Sequence, residues 1–204
     1  MRTYREIEQL ANPHGFVLGR YSGEQPQYVF IADSQHSICR TIAPLLVALA
    51  QPDEAIHLEG LHGTVERKAE GIGIVNGKRT KLEPNQSLRL FSDNPSALET
   101  LLDRGVQIQG HDDLELLRQQ ELVYQDLLAE HAVRLFSQPN NYDNTFAQFM
   151  DLSRRRSAVM IPPLLSASNT VHYSLIGEKH LDSDWYDAFQ GKNFTTLTRA
   201  PSPK

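Results

Sequence analysis

Residues 28–61 read YVFIADSQHSICRTIAPLLVALAQPDEAIHLEGL, and this stretch decides the fold class. Tyr28-Val-Phe-Ile-Ala-Asp33 is β-rich and uninterrupted, the pattern of a strand covered on both faces. From Ser37 to Ala50, Ile38, Ile42, Leu45, Leu46 and Leu49 recur at helical spacing. Pro44 costs roughly 3 kcal/mol in an interior turn, so the helix is expected to start near it or to kink there. Pro52-Asp53 breaks the pattern, and Ala55-Ile-His-Leu-Glu-Gly-Leu61 reads as a second strand. Strand, helix, strand is the βαβ unit, which requires parallel pairing and a right-handed crossover. The expected fold is α/β: a mostly parallel central sheet flanked by helices.

The same reading extends along the chain. Gly71-Ile-Gly-Ile-Val75, Asn76-Gly77 and Lys78-Arg-Thr-Lys-Leu82 form a hairpin signal, since Asn-Gly suits a type I′ turn. It is read as an antiparallel insertion beside the main sheet, over about 64–92. A helix is expected from Ser96 to Arg104, ending at Gly105, followed by a strand at Val106-Gln-Ile-Gln-Gly110. A long helix from Asp113 to about Phe136 and another from about Thr145 to Val159, stopping before Pro162-Pro163, come next. Val171-His-Tyr-Ser-Leu-Ile176 is a fourth core strand, Ser183 to Phe189 a short helix, and Phe194 to Thr198 a closing strand.

Length and composition narrow the class. A chain of 204 residues with 40% apolar and 22% charged residues supports one well-buried core, here read as a single domain over 1–204. A net charge of −5 reads against a nucleic-acid binder. No apolar run approaches the roughly 20 residues that span a bilayer. Met1 to Gly15 lacks the apolar centre of a secretory signal, so cytoplasmic residence is the default, with signal-independent secretion or excision from a longer chain left open. The single cysteine, Cys39, excludes an intrachain disulfide and a multi-cysteine zinc site. Oligomeric state is not legible.

Each core strand delivers polar residues as it ends. The first gives Asp33 and His36, the second Glu59 with His62 nearby, the third His111 and Asp112, the fourth Glu178 and His180. In open parallel sheets the crevice beyond the carboxyl ends is the default ligand site. Acids and imidazoles converging there would make a metal site or an acid–base site. Plainer roles stand beside these: Asp112 or Asp113 as a helix cap, His62 as a solvated loop residue, His57 and His172 as packed core histidines, Arg154-Arg155-Arg156 as a basic surface.

Ile31-Ala-Asp-Ser-Gln-His36, Ile56-His-Leu-Glu59, Arg156-Ser-Ala-Val-Met160 and Leu175-Ile-Gly-Glu-Lys-His180 together resemble the superfamily of erythromycin esterases, ChaN-like proteins and TIKI/TraB proteins. The pattern there is a GxxH motif after the first strand, a glutamate ending the second, an Arg-Asn-x-x-Met-like helix and a second GxxH after a late strand. Gly177-Glu-Lys-His180 fits the second motif throughout. In the first, Asp33 stands where the glycine belongs and Ser34 where relatives often carry glutamate; Ser157 replaces the asparagine.

The resemblance implies His36, His180, Glu59 and Arg156 as catalytic residues and matches Asp112 to an acid of some relatives; with the strand-end residues His111 and His62, Asp112 is expected around the substrate. Asp33, His36, Glu59, Glu178 and His180 are the candidate metal ligands. Nitrogen ligands would favour Mn, Fe, Co or Zn. The leading expectation is a hydrolase of a small-molecule or peptide substrate, with His36 or His180 as general base on a water. Alternatives are a non-catalytic protein holding haem or another small ligand, and a toxin or effector-type domain.

Overall fold

The computed structural model describes residues 1–33, 40–68, 71–76, 79–81, 90–91, 93–134, 142–166 and 170–200. The chain is α/β. Nine strands form one sheet: β1 (Phe16–Ser22), β2 (Tyr28–Ala32), β3 (Ala55–Leu58), β4 (His62–Lys68), β5 (Gly71–Asn76), β6 (Arg79–Lys81), β7 (Gln107–His111), β8 (His172–Ile176) and β9 (Phe194–Arg199). Their order is β1-β9-β2-β8-β3-β7-β4-β5-β6. From β9 to β7 every pairing is parallel, while β1 at one edge and β4, β5 and β6 at the other pair antiparallel.

The βαβ unit is present with one correction. β2 and β3 are parallel but do not touch; β8 lies between them, with Tyr28 and Ala55 both in register with His172. Helix α2 (Ile42–Leu49) connects them. Pro44 falls in its first turn, where a missing N–H removes no intrahelical bond. The proline therefore neither kinks the helix nor weakens it.

Alternation along the strands sorts the side chains into two layers. Val29, Ile31, Ile56, Leu58, Ile108, Tyr173 and Leu175 meet α1 (Tyr4–Ala11), α2 and α3 (Pro95–Asp103) in the larger core. Tyr28, Phe30, Ile176 and Phe194 meet Met160 and Leu164 of α5 (Tyr142–Ser166) and Trp185 of α6 (Ser183–Ala188) in the smaller one. Helix α4 (Leu114–Arg134) packs along α5.

Three elements differ from the sequence reading or were not in it. α5 starts at Tyr142 and continues through Pro162 and Pro163 to Ser166. Met160 and Leu164, buried on either side of the prolines against Trp185 and Phe189, hold the last turns in place. That burial, worth roughly 1.5–3 kcal/mol per side chain, offsets the lost backbone bonds. His62 is not in a loop: it opens β4, paired with His111. The hairpin strands β5 and β6 thereby continue the main sheet through β4; Asn76, expected in the turn, is instead the last residue of β5 and pairs with Arg79, and Gly77 and Lys78 lie outside the described residues. α1 and β1, a capped helix and an edge strand, precede the first core strand. Among the described residues no helix is long and apolar enough to cross a membrane.

Candidate functional site

The parallel strands set the geometry. β3 ends at Leu58, so Glu59 follows it directly; β7 leads into Asp112; β8 leads through Gly177 into a single 3-10 turn, Glu178–His180. Above these ends lies the middle of α5. Its Arg156 is buried despite two exposed arginine neighbours, because Ser153, Arg156, Ser157 and Met160 share the inward face at helical spacing.

Arg156 gathers the acids. Its Nε donates to Asp112 Oδ1 at 3.0 Å, and Nη2 donates to Glu59 Oε1 at 2.8 Å and to Asp112 Oδ2. Nη1 donates to the side-chain oxygen of Gln120, which in turn donates to Ser153. Among the described residues four of the five guanidinium N–H groups are thus engaged, leaving one on Nη1. Burial acts to lower the guanidinium pKa, but Asp112 and Glu59 outweigh it and hold the net shift upward. The charge is permanent.

Asp112 is fully buried and also accepts from the Gly60 N–H at 2.8 Å. It does not cap α4. That role belongs to Asp113, whose Oδ1 accepts from the N–H groups of Glu115 and Leu116 at 2.9 and 3.1 Å. Gly110 makes the placement possible: a Cβ there would lie 2.2 Å from the Leu61 carbonyl oxygen, which accepts the Asp112 N–H at 3.0 Å.

Glu59 joins the arginine to the histidine. Its Oε1 lies 3.1 Å from His180 Nε2, and its Oε2 accepts from the Gly177 N–H at 2.5 Å. A Cβ at position 177 would stand only 3.3 Å from that oxygen, which accounts for the glycine of Gly177-Glu-Lys-His180. On the other side His180 Nδ1 lies 2.7 Å from Ser157 Oγ, and that hydroxyl is also 3.1 Å from the Ser153 carbonyl. One hydroxyl proton cannot serve both. If Ser157 donates to Nδ1, His180 is neutral and donates from Nε2 to Glu59. If Ser157 turns to Ser153, it accepts from Nδ1–H instead. Rotation of one hydroxyl thus accompanies a change of tautomer or charge on the imidazole.

Glu59, Arg156 and His180 line a cleft of about 390 Å³. Leu117, Tyr124 and Phe149 give it apolar walls, and Glu121, Glu178 and Lys179 are exposed around it. The Lys179 ammonium stands 4.3 Å from the centre of the Phe149 ring. The cleft suits a small organic group, while buried Ser157 stays behind His180.

The sequence-predicted residues divide. Glu59, Asp112, Arg156 and His180 are brought together, and Glu178 stands beside them in the cleft. Asp33 instead pairs with Arg199 of β9, Oδ2 to Nε at 2.7 Å, next to Thr41. His62 is exposed, its Nδ1 2.9 Å from the Asp112 carbonyl. His111 is half-buried beside His57. His36 and Cys39 lie outside the described residues. Gln120 and Ser153 were not anticipated, although Ser153 sits three positions from Arg156 on one helical face, a spacing readable in advance.

Among the described residues no group of three or more His, Cys, Asp or Glu is placed to hold one metal ion. Glu59 and His180 adjoin, and the Glu59 oxygen nearest His180 already pairs with the Arg156 guanidinium. The described residues alone therefore do not fit a transition metal. Both His180 nitrogens face protein partners, so an axial bond to haem iron would have to break one of them. No protein-family model, curated protein or solved structure matches this chain.

Proposed function

We propose that the chain is a hydrolase of a small ester or amide substrate, with His180 as the proton-transfer group. One observation carries the reading: an imidazole held between a hydroxyl and an arginine-paired carboxyl group at the edge of a cleft beyond the ends of parallel strands. In the tautomer with Nδ1–H on Ser157, Nε2 offers its lone pair on the Glu59 side. A water entering from the cleft and parting the 3.1 Å His180–Glu59 contact would donate one proton to Nε2 and the other to Glu59. As the water attacks a carbonyl, its proton passes to Nε2, and the imidazolium is then held by Ser157 and Glu59. Arg156 holds Glu59 in place through a charge-assisted hydrogen bond, and its remaining Nη1 proton would be available to a substrate oxygen. The resemblance to the erythromycin esterase, ChaN-like and TIKI/TraB superfamily supports this reading through the same residues.

The test is a panel of aryl and alkyl esters and short peptides, assayed with wild type, His180→Ala and Glu59→Gln. A general base contributes about 10²–10⁴-fold, so His180→Ala should lose that much with its circular dichroism unchanged. Equal hydrolysis by wild type and a folded His180→Ala variant would refute the assignment.

A further inference from the structure

Behind the cleft, on the β3–β8 side of the sheet, lies a second and much smaller space. His57, Glu59, His111, Ser174 and Trp185 line a cavity of about 20 Å³, closed by Met160 and other apolar side chains. Among the described residues His57 Nδ1, Ser174 Oγ and Trp185 Nε1 are buried without a hydrogen-bond partner, and all three residues belong to this one cavity. Three orphaned polar atoms on residues around one small space point to a shared guest. The volume exceeds the roughly 10–15 Å³ one water needs and admits little else.

On its far side His57 Nε2 lies 3.0 Å from His172 Nδ1, and His172 Nε2 lies 3.4 Å from the half-exposed Thr170 Oγ1. These residues step along β3 and β8 toward the amino ends of the strands, away from the cleft.

We propose that the cavity binds an ordered water that starts a hydrogen-bonded chain through His57 and His172 to Thr170, linking the Glu59 end of the sheet to its opposite rim. The donor directions follow from valence. An indole N–H only donates, so the water accepts from Trp185. It then donates to His57 Nδ1 and shares a hydrogen bond with the Ser174 hydroxyl, which can donate or accept. His57 carries its proton on Nε2 and donates to His172 Nδ1; His172 in turn donates from Nε2 to Thr170. Burial drives the His57 pKa down to about 3, with His172 and His111 adding to the shift, so the ring is neutral in the native protein. Accordingly the chain orders tautomers and does not store charge. None of this depends on the reaction the cleft performs.

Trp185 is the sole tryptophan of the sequence, so its indole N–H is an unambiguous magnetic-resonance probe in the isotope-labelled full chain. The expected result is a direct nuclear Overhauser contact between that proton and a long-lived water. Long-range proton–nitrogen spectra should show His57 and His172 both as Nε2–H tautomers. Ser174→Val, which fills the cavity, should abolish the water contact. Absence of that contact in the wild type, or an Nδ1–H tautomer at His57, would overturn the proposal. So would its persistence in folded Ser174→Val. The wild-type spectra decide alone if that variant does not fold.

Discussion

The two faces of the sheet solve burial differently. On the α1–α2–α3 side the strands present an apolar surface, and its one buried phenol, Tyr173, satisfies itself by donating to the Leu49 carbonyl at 3.0 Å. Across the sheet the aromatic cluster of Tyr28, Phe30, Trp185 and Phe189 covers β2 and β9 and reaches Ile176 at the end of β8. Next to it β3 and β8 turn His57, His172 and Ser174 inward, and Arg156 with its two carboxylates lies beyond their ends. An apolar face is stabilised by area and tolerates approximate solutions. A polar one is stabilised only while each group keeps its partner. The cleft opens on the polar side.

The sharpest way to break this contrast is Arg156→Ala. It strands Asp112 and Glu59 as uncompensated acids and should cost about 3–5 kcal/mol in urea unfolding. Arg199→Ala removes a comparable pair with Asp33, but Arg199 is about one-third exposed, and the loss should be about 1 kcal/mol or less. Equal losses would mean that the buried network is no more demanding than a surface pair.

Acid should separate the faces next. His57 binds a proton far less readily when folded than its ordinary value of 6.5. Stability is therefore fully present above pH 6.5 and lost as pH falls toward 3, by about 2 kcal/mol between pH 6.5 and about 5. Tyr173 does the reverse: burial, with Glu54 adding, raises its pKa above the ordinary 10. Its contribution is intact below pH 10 and lost as pH rises beyond it. Unfolding followed by circular dichroism from acid to alkali should show both limbs, and His57→Phe, if folded, should flatten only the acid one.

Smaller effects test the division of labour between neighbouring aspartates. Asp113→Ala removes a helix cap and should cost about 1 kcal/mol while leaving hydrolysis unchanged. A chelator should change neither stability nor activity, since the guanidinium already provides the cation beside Glu59. A loss of activity restored by added Mn, Co or Zn would show instead that a metal takes part.

The fold was legible where side chains are forced by burial. Continuous apolar runs identified the parallel strands at Tyr28, Ala55 and Val171, and Asn76-Gly77 marked a hairpin. What escaped had weak patterning: β1 alternates poorly around Gly19-Arg20, and over 62–67 β4 buries Val65 alone. Strand order escaped too, because nothing local says that β8 separates β2 from β3. In the site, strand-end logic found Glu59, Asp112 and His180. It assigned Asp33 to the same cluster, yet Asp33 follows Ile31 in the alternation, toward the apolar face where Arg199 waits, whereas Glu59 follows His57. Choosing Asp112 over Asp113 for the site needed tertiary contacts, since either could cap a helix.

The place of β8 bears on how the chain is made. Its five residues, His172–Ile176, lie far downstream of Ala32 and Leu58 in the chain, yet they form the strand on which both β2 and β3 hang. Until they emerge, two β-rich segments wait with unpaired edges, the condition under which nascent chains seek the wrong partner. Synthesis to Ser166 would leave the sheet in halves, so the sheet closes only once β8 has emerged, and pairings this distant in sequence should make its folding slow.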